Sequence, residues 1–198
     1  MDNERLEKQF DFFREIDKEK FIGRQTYLTD GERKENDAEH AWHMAIMTVL
    51  LAEYANEKID VLKTVMMLLI HDLVEIDAGD TYAYDEEGKK TQREREEKAA
   101  KRIFGLLPEE QGEKLMALWE EFEAYETPEA NFAHTMDNIQ PVMLNDATDG
   151  KAWLEHGVHL SQILGRNKKT AEGSEELWQY AYEKMIAPNA AKGRIIED

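Results

Sequence analysis

The chain has 198 residues, 41% of them hydrophobic, and no cysteine. Its 25 Lys+Arg against 43 Asp+Glu give a net charge of −18, which opposes the phosphate contacts needed to hold a nucleic-acid polymer or an anionic membrane. A length of this order suits one domain over 1–198, and the missing cysteine excludes thiolate metal sites, iron–sulfur clusters and thiol nucleophiles.

The start, MDNERLEKQF, has neither the basic opening nor the apolar run of a signal peptide. The longest apolar run, Val65 to Ile70, is six residues, against the ~20 that a membrane span requires. A cytoplasmic protein is expected. Leu6, Phe10, Phe13 and Ile16 step at helical spacing and predict a first helix with one apolar stripe. Thr29 to Asn36 reads as a polar loop, and Asp37 is placed to cap a second helix running to about Asn56. Asp60 caps a third, Val61 to Asp77, stopped by Gly79. From Asp85 to Arg102 six acids and seven bases predict a solvated helix face, with Thr91 and Glu94 at capping-box spacing. Pro108 suits the first position of the next helix, and Thr127-Pro128-Glu129 opens another that carries Phe132, Met136, Ile139 and Met143. Weaker patterns near Lys151 to Leu164 and Glu175 to Ile186 complete the chain. No alternating strand pattern stands out. The expected fold is all-α, a compact domain of about seven or eight helices, with a motif-bearing core over about 20–150 and the helices of 151–190 packed on it.

Chemistry concentrates in the Val65–Ile76 segment, which is apolar around the whole helix and therefore expected to be central and buried. It nevertheless carries His71, Asp72 and Glu75, and buried carboxylates are costly unless paired or bound to a metal. His71 is either a satisfied core histidine beside a solvent-facing Asp72, or half of a ligand pair. His40 and His43 lie three residues apart on one helix face; the two can share a metal or a phosphate, or one is a ligand or cap while the other packs beside Trp42 and Met44. Asp137 borders an apolar stripe and is either a solvated edge residue or a further ligand. Together His40, His71, Asp72 and Asp137 offer two imidazoles and two carboxylates, a set suited to Mn²⁺, Fe²⁺, Co²⁺, Ni²⁺ or Zn²⁺.

The order His40, His71-Asp72, Asp137 resembles the H…HD…D signature of the HD-domain metal-dependent phosphohydrolases. The segments Arg24-Gln25-Thr26-Tyr27, Glu35 to His40, His71-Asp72-Leu73-Val74-Glu75 and Gly79-Asp80 are similar to the 5′-deoxynucleotidase branch of that family, and the resemblance runs over about residues 5 to 150. It implies that His40, His71, Asp72 and Asp137 hold one divalent ion, Mg²⁺ being a further candidate. It also implies that Glu75 acts beside Asp72 at the scissile phosphoester, that Arg24 binds the substrate phosphate, and that Asp80 contacts the sugar. Tyr27 stands nearest the aromatic that commonly follows the arginine, and His43 joins these as a substrate-side candidate. The implied activity is release of phosphate from deoxynucleoside 5′-monophosphates, by a homodimer. The alternatives are an HD hydrolase of another nucleotide or sugar phosphate, or a non-catalytic helical binding module. Ile76, where alarmone hydrolases carry a second acid, speaks against that branch.

Overall fold

The computed structural model describes residues 3–79 and 89–198. Among these the fold is all-α apart from one two-stranded sheet. Helix α1 (Asn3–Ile16) leads through a 3₁₀ turn (Asp17–Phe21) into an antiparallel hairpin, β1 (Gly23–Tyr27) and β2 (Lys34–Asn36). In its register Gly23 lies opposite Asn36 and Tyr27 opposite Lys34, with an irregularity between them. Next come α2 (Asp37–Leu51), α3 (Val61–Ile70), a 3₁₀ turn over His71–Val74, and α4 (Glu75–Ala78). The middle of the chain forms α5 (Lys89–Phe104), α6 (Glu109–Ala124) and α7 (Pro128–Ala147). Short helices finish it: α8 (Lys151–His156), α9 (Leu160–Arg166), α10 (Thr170–Gly173), α11 (Glu175–Ala181) and, after a π-helical stretch over Tyr182–Ile186, α12 (Ala187–Ala191).

Several local expectations shift for identifiable reasons. The hairpin replaces part of the expected loop, because five residues with Thr26 turned inward are too few to show alternation in sequence. The cap of α2 is Asn36 rather than Asp37. The Asn36 side chain accepts from the Glu39 amide while the Glu39 carboxylate accepts from the Asn36 amide, a complete capping box. Thr91 lies inside α5, so its box with Glu94 does not form, and Pro108 stands at the N-cap position just before α6, with no side-chain cap. The expected helix from Val61 breaks into its 3₁₀ turn at His71. Nor is the Val65–Ile76 segment buried all round, since Leu69 within it is 39% exposed. On α1 it is Phe12 that is buried, whereas Leu6, Phe10 and Phe13 are about half exposed. Periodicity marks an apolar face without saying what covers it.

Three apolar clusters fill the interior. Met44, Met67, Leu68, Phe122, Phe132 and Met136 knit α2, α3, α6 and α7 together. Phe12, Leu73, Val74, Ile103, Phe104 and Trp119 pack α1 and α5 around the 3₁₀ turn. Ile139, Val142, Trp153, Ile163, Ile186 and Ile195 fasten the C-terminal helices to α7. Helix α7 belongs to two of the three and is capped at its start by Thr127 with Pro128 in the first turn. Among the described residues no helix is long and apolar enough to cross a membrane.

Candidate metal centre

The cap of α2 sets the site's first wall. With Asn36 taking the capping role, Asp37 turns inward, and it and His40 are both fully buried. His40 Nδ1 lies 2.9 Å from Gln140 Oε1 on α7. The Gln140 amide nitrogen donates to Glu35 Oε2 at 2.9 Å and faces His43 Nδ1 at 3.2 Å. With its nitrogen so committed, the amide presents oxygen to His40, so Nδ1 carries the hydrogen and Nε2 the lone pair. His71 reaches the same tautomer by another route, donating from Nδ1 to the Leu68 carbonyl at 3.0 Å.

Both free imidazole nitrogens face carboxylates. His40 Nε2 is 3.1 Å from Asp137 Oδ1, and His71 Nε2 is 3.0 Å from Asp72 Oδ1 and 4.0 Å from Asp137 Oδ1. A lone pair against a carboxylate oxygen is repulsive unless a metal cation, or a proton on that nitrogen, lies between them. His40, His71 and Asp72 each offer a ligand atom, all within 4.8 Å of one another, and Asp137 stands against both imidazoles. The outer nitrogen of each histidine is tied off by a fixed acceptor, the arrangement that orients metal-binding imidazoles. The donor set fits a divalent ion.

Charge supports the same reading. Burial and the nearby Arg24 guanidinium lower His40 to about 4, so it is neutral. Burial opposes the charged form of His71, but the Asp72 carboxylate more than compensates and raises it to about 9. Asp72, despite burial, is held low by His71 and Arg24, and Asp137 by His40 and Arg166. The carboxylates are thus ionised, as ligands must be.

The 3₁₀ turn has a consequence for the chemistry. Side chains three residues apart eclipse in such a turn, which aligns Asp72 with Glu75. Both line a cavity of about 560 Å³, together with Arg24, Gln25, Asp137 and Arg166. One wall is an aromatic column: Phe122 and Tyr125 each stack on His134 at 3.9 Å, and His71 lies 4.9 Å from Phe122. His134 donates from Nε2 to the Phe122 carbonyl at 2.8 Å, which commits it to the wall. Tyr125 ends α6 in the left-handed region (φ 58°), a strained conformation for a non-glycine residue and one that clusters at functional sites.

The structure brings His40, His71, Asp72 and Asp137 together and places Glu75 beside them. It treats the other candidates differently. Arg24 lines the cavity but is engaged by acids: Asp72 Oδ2 at 3.0 Å, Asp37 Oδ1 at 3.3 Å and Glu35 Oε1 at 3.6 Å. His43 is not among the described residues that line the cavity, and Gln140 links it to His40. Tyr27 does not line the cavity. Its hydroxyl donates to Glu155 on α8 at 2.5 Å, and the Lys151 ammonium lies 4.0 Å from its ring. Asp80 lies outside the described residues. Sequence reasoning missed Gln140, Glu35, Asp37 and Arg166. Gln140 has one available signal, a polar residue one turn after Asp137 on the same helix; Arg166 has none, because only the packing of α9 brings it to the site.

The HD domain family matches residues 16–178. The chain belongs to that family. This HD domain is 47% identical in sequence to a solved protein of Magnetospirillum magnetotacticum MS-1 described as a predicted metal-dependent phosphohydrolase. That similarity covers 96% of this chain and 95% of the other, with a TM-score of 0.91. A conserved hypothetical protein of Pyrococcus furiosus, at 23% identity and a TM-score of 0.65 over 89% of this chain and 98% of that one, shares the fold. Among curated proteins, human 5′-deoxynucleotidase HDDC2 is 31% identical over 112 residues, 57% of this chain and 53% of that protein. The Dictyostelium discoideum protein of the same name is 28% identical over 144 residues, 70% of this chain and 76% of that one. The chain spans about half the length of the first of these curated relatives.

Proposed function

We propose that this HD domain is a metal-dependent phosphomonoester hydrolase whose substrates are deoxynucleoside 5′-monophosphates. The observation that carries the reading is the pair of buried histidines whose Nδ1 hydrogens are tied to Gln140 Oε1 and the Leu68 carbonyl, leaving both Nε2 atoms aimed at Asp72 and Asp137. His40, His71, Asp72 and Asp137 would hold one divalent ion. Such an ion supplies positive charge that polarises a phosphoester and acidifies water. Glu75, buried beside Asp72 at the cavity, is placed to hold or deliver a proton at the leaving sugar oxygen. Arg24 Nη1, bonded to Asp72 Oδ2, fixes that carboxylate's orientation. The names of the curated relatives and of the Magnetospirillum protein support the substrate class and the metal.

The deciding experiment is a phosphate-release screen over deoxynucleoside and ribonucleoside 5′-monophosphates with Mn²⁺, Co²⁺, Zn²⁺ and Mg²⁺. Release from the deoxy series is expected; release from none overturns the reading in favour of a binding module. We further place residues 1–198 in one cytoplasmic domain, supported by the absence of cysteine and by the cluster that ties Ile139 to Ile195. A homodimer is supported by the exposed apolar residues Trp42, Ile46, Val49 and Leu50 along one face of α2, and a monomeric mass in light scattering would refute it.

A further inference from the structure

A phosphate dianion entering this cavity meets acidic walls, with Asp72, Glu75, Glu96, Glu123 and Asp137 all lining it. Arg24, which also lines the cavity, is held by acids. Arg24 is only 13% exposed and binds Asp72, Asp37 and Glu35, of which Asp37 is fully buried. Moving the guanidinium would leave buried carboxylates uncompensated, which is strongly unfavourable.

Besides Arg24 and His71, the basic residues that line the cavity among the described residues come from one short stretch, the turn that ends α9: Arg166, Lys168 and Lys169. Arg166 Nη2 lies 3.2 Å from Asp137 Oδ2, while the other oxygen of that carboxylate faces His40 and His71. One carboxylate therefore separates the guanidinium from both imidazoles. Asp137 is its hydrogen-bonding partner among the described residues, and a guanidinium has five N–H donors in a fixed fork. Its side chain is 33% exposed and lines the cavity. Lys169 Nζ sits 4.6 Å from the centroid of the Tyr125 ring on the same side.

We propose that this turn forms the phosphate subsite: Arg166 grips two phosphoryl oxygens through its fork, and Lys169 supplies flanking charge, for a nucleoside monophosphate and for the inorganic phosphate released. Planar bidentate recognition of this kind is what distinguishes Arg from Lys at a phosphate site. The assignment rests on the hydrolase reading above and deepens it, adding Arg166 to Arg24 as a phosphate contact.

The test uses the full chain loaded with Mn²⁺, with inorganic phosphate as the probe. Calorimetry gives its Kd for the wild type, Arg166→Gln, Arg166→Lys and Lys169→Gln, and elemental analysis gives metal content for each. Arg166→Gln is expected to keep its metal and weaken phosphate at least about tenfold, with Arg166→Lys recovering part of the loss and Lys169→Gln losing less. In turnover, KM for the monophosphate rises more than kcat falls. A wild-type Kd shared by Arg166→Gln overturns the subsite, as does a loaded wild-type protein that binds no phosphate. Loss of metal in Arg166→Gln with unchanged phosphate affinity per loaded site also overturns it, making Arg166 a positioning residue for Asp137. Failure of the hydrolase reading shows separately: a wild type that binds phosphate with this Arg166 dependence but releases none from any monophosphate.

Discussion

Gln140→Leu tests the tautomer argument on which the metal centre depends. The substitution roughly keeps side-chain volume and leaves the α7 backbone alone, but it removes an amide that serves three buried or half-buried groups: His40 Nδ1, Glu35 Oε2 and His43 Nδ1. An unsatisfied buried polar group costs about 1–3 kcal/mol. Glu35 falls at the low end, because burial already raises it to about 7 and Arg24 remains 3.6 Å away. A total of about 2–4 kcal/mol is expected, and at roughly 2–4 °C per kcal/mol the metal-free protein should melt about 5–15 °C lower. The second effect is specific. Without the Gln140 oxygen, His40 is no longer held with its Nε2 lone pair inward, and loss of such an outer partner weakens metal binding by about 10–100-fold. Differential scanning fluorimetry with and without Mn²⁺ separates the two, since the metal-induced rise in Tm shrinks as affinity falls. Calorimetric titration of Mn²⁺ gives the affinity directly. A variant that melts lower yet binds Mn²⁺ as tightly as the wild type refutes the reasoning and reduces Gln140 to a packing residue.

Three further outcomes are expected. Glu75→Gln keeps its metal by elemental analysis while kcat falls by about 10²–10⁴, the usual contribution of a positioned acid or base; near-normal turnover removes Glu75 from proton transfer. At Gly173, an added Cβ would sit 2.3 Å from both Asn131 O and Thr135 Oγ1. Gly173→Ala should therefore lose about 3 kcal/mol, at the upper end of overpacking costs, and an unchanged chemical-denaturation midpoint would contradict the tight α7–α10 packing. Glu96 is raised to about 7 by burial, against an ordinary 4.5, so the folded state holds a proton there that the unfolded state has released. Its contribution to stability is full below about pH 4.5 and is lost as pH rises towards 7; Glu96→Gln should flatten that decline by about 1–2 kcal/mol, and parallel curves for the two proteins would show that Glu96 is not the group responsible.

The legible parts of the fold were those in which local chemistry and tertiary placement agree. Asp60 caps α3 and Thr127 with Pro128 opens α7, as their residue types dictate. Phe132, Met136 and Ile139 are buried as their spacing requires. The four ligand candidates were readable because His and Asp on apolar helix stripes conflict with burial unless something resolves the conflict. What stayed hidden depends on distant contacts. Asn36 and Asp37 are both good caps in isolation, and the reciprocal bonds of Asn36 with Glu39, together with the Arg24–Asp37 ion pair, favour Asn36. Tyr27 is drawn away from the cavity by Glu155, 128 residues on. Arg166 and Gln140 matter only through the folding of α9 and α2 against α7.

The charge around the site shows why a metal and a separate cationic turn belong together. Leaving aside Glu96 and Glu123, which also line the cavity, Glu35, Asp37, Asp72, Glu75 and Asp137 stand against two guanidinium groups, Arg24 and Arg166, so three negative charges are uncompensated if every acid is ionised. Two adjustments are visible already: Glu35 is raised to about 7, and His71 to about 9. Each reduces the excess by one when protonated, which is how a protein neutralises buried charge in the absence of a better partner. A divalent ion in place of the His71 proton would bring the cluster close to neutrality. Neutrality suits a buried centre but gives little net attraction for a dianion, in a chain whose total charge is −18. The attraction must then come from charge that the cluster has not consumed, and among the described residues lining this cavity that charge lies at Lys168 and Lys169, while Arg166 offers hydrogen-bond donors. On this arithmetic, raising the ionic strength should weaken phosphate binding to the loaded wild type more than to Lys169→Gln, because screening acts on the exposed lysines far more than on the buried cluster.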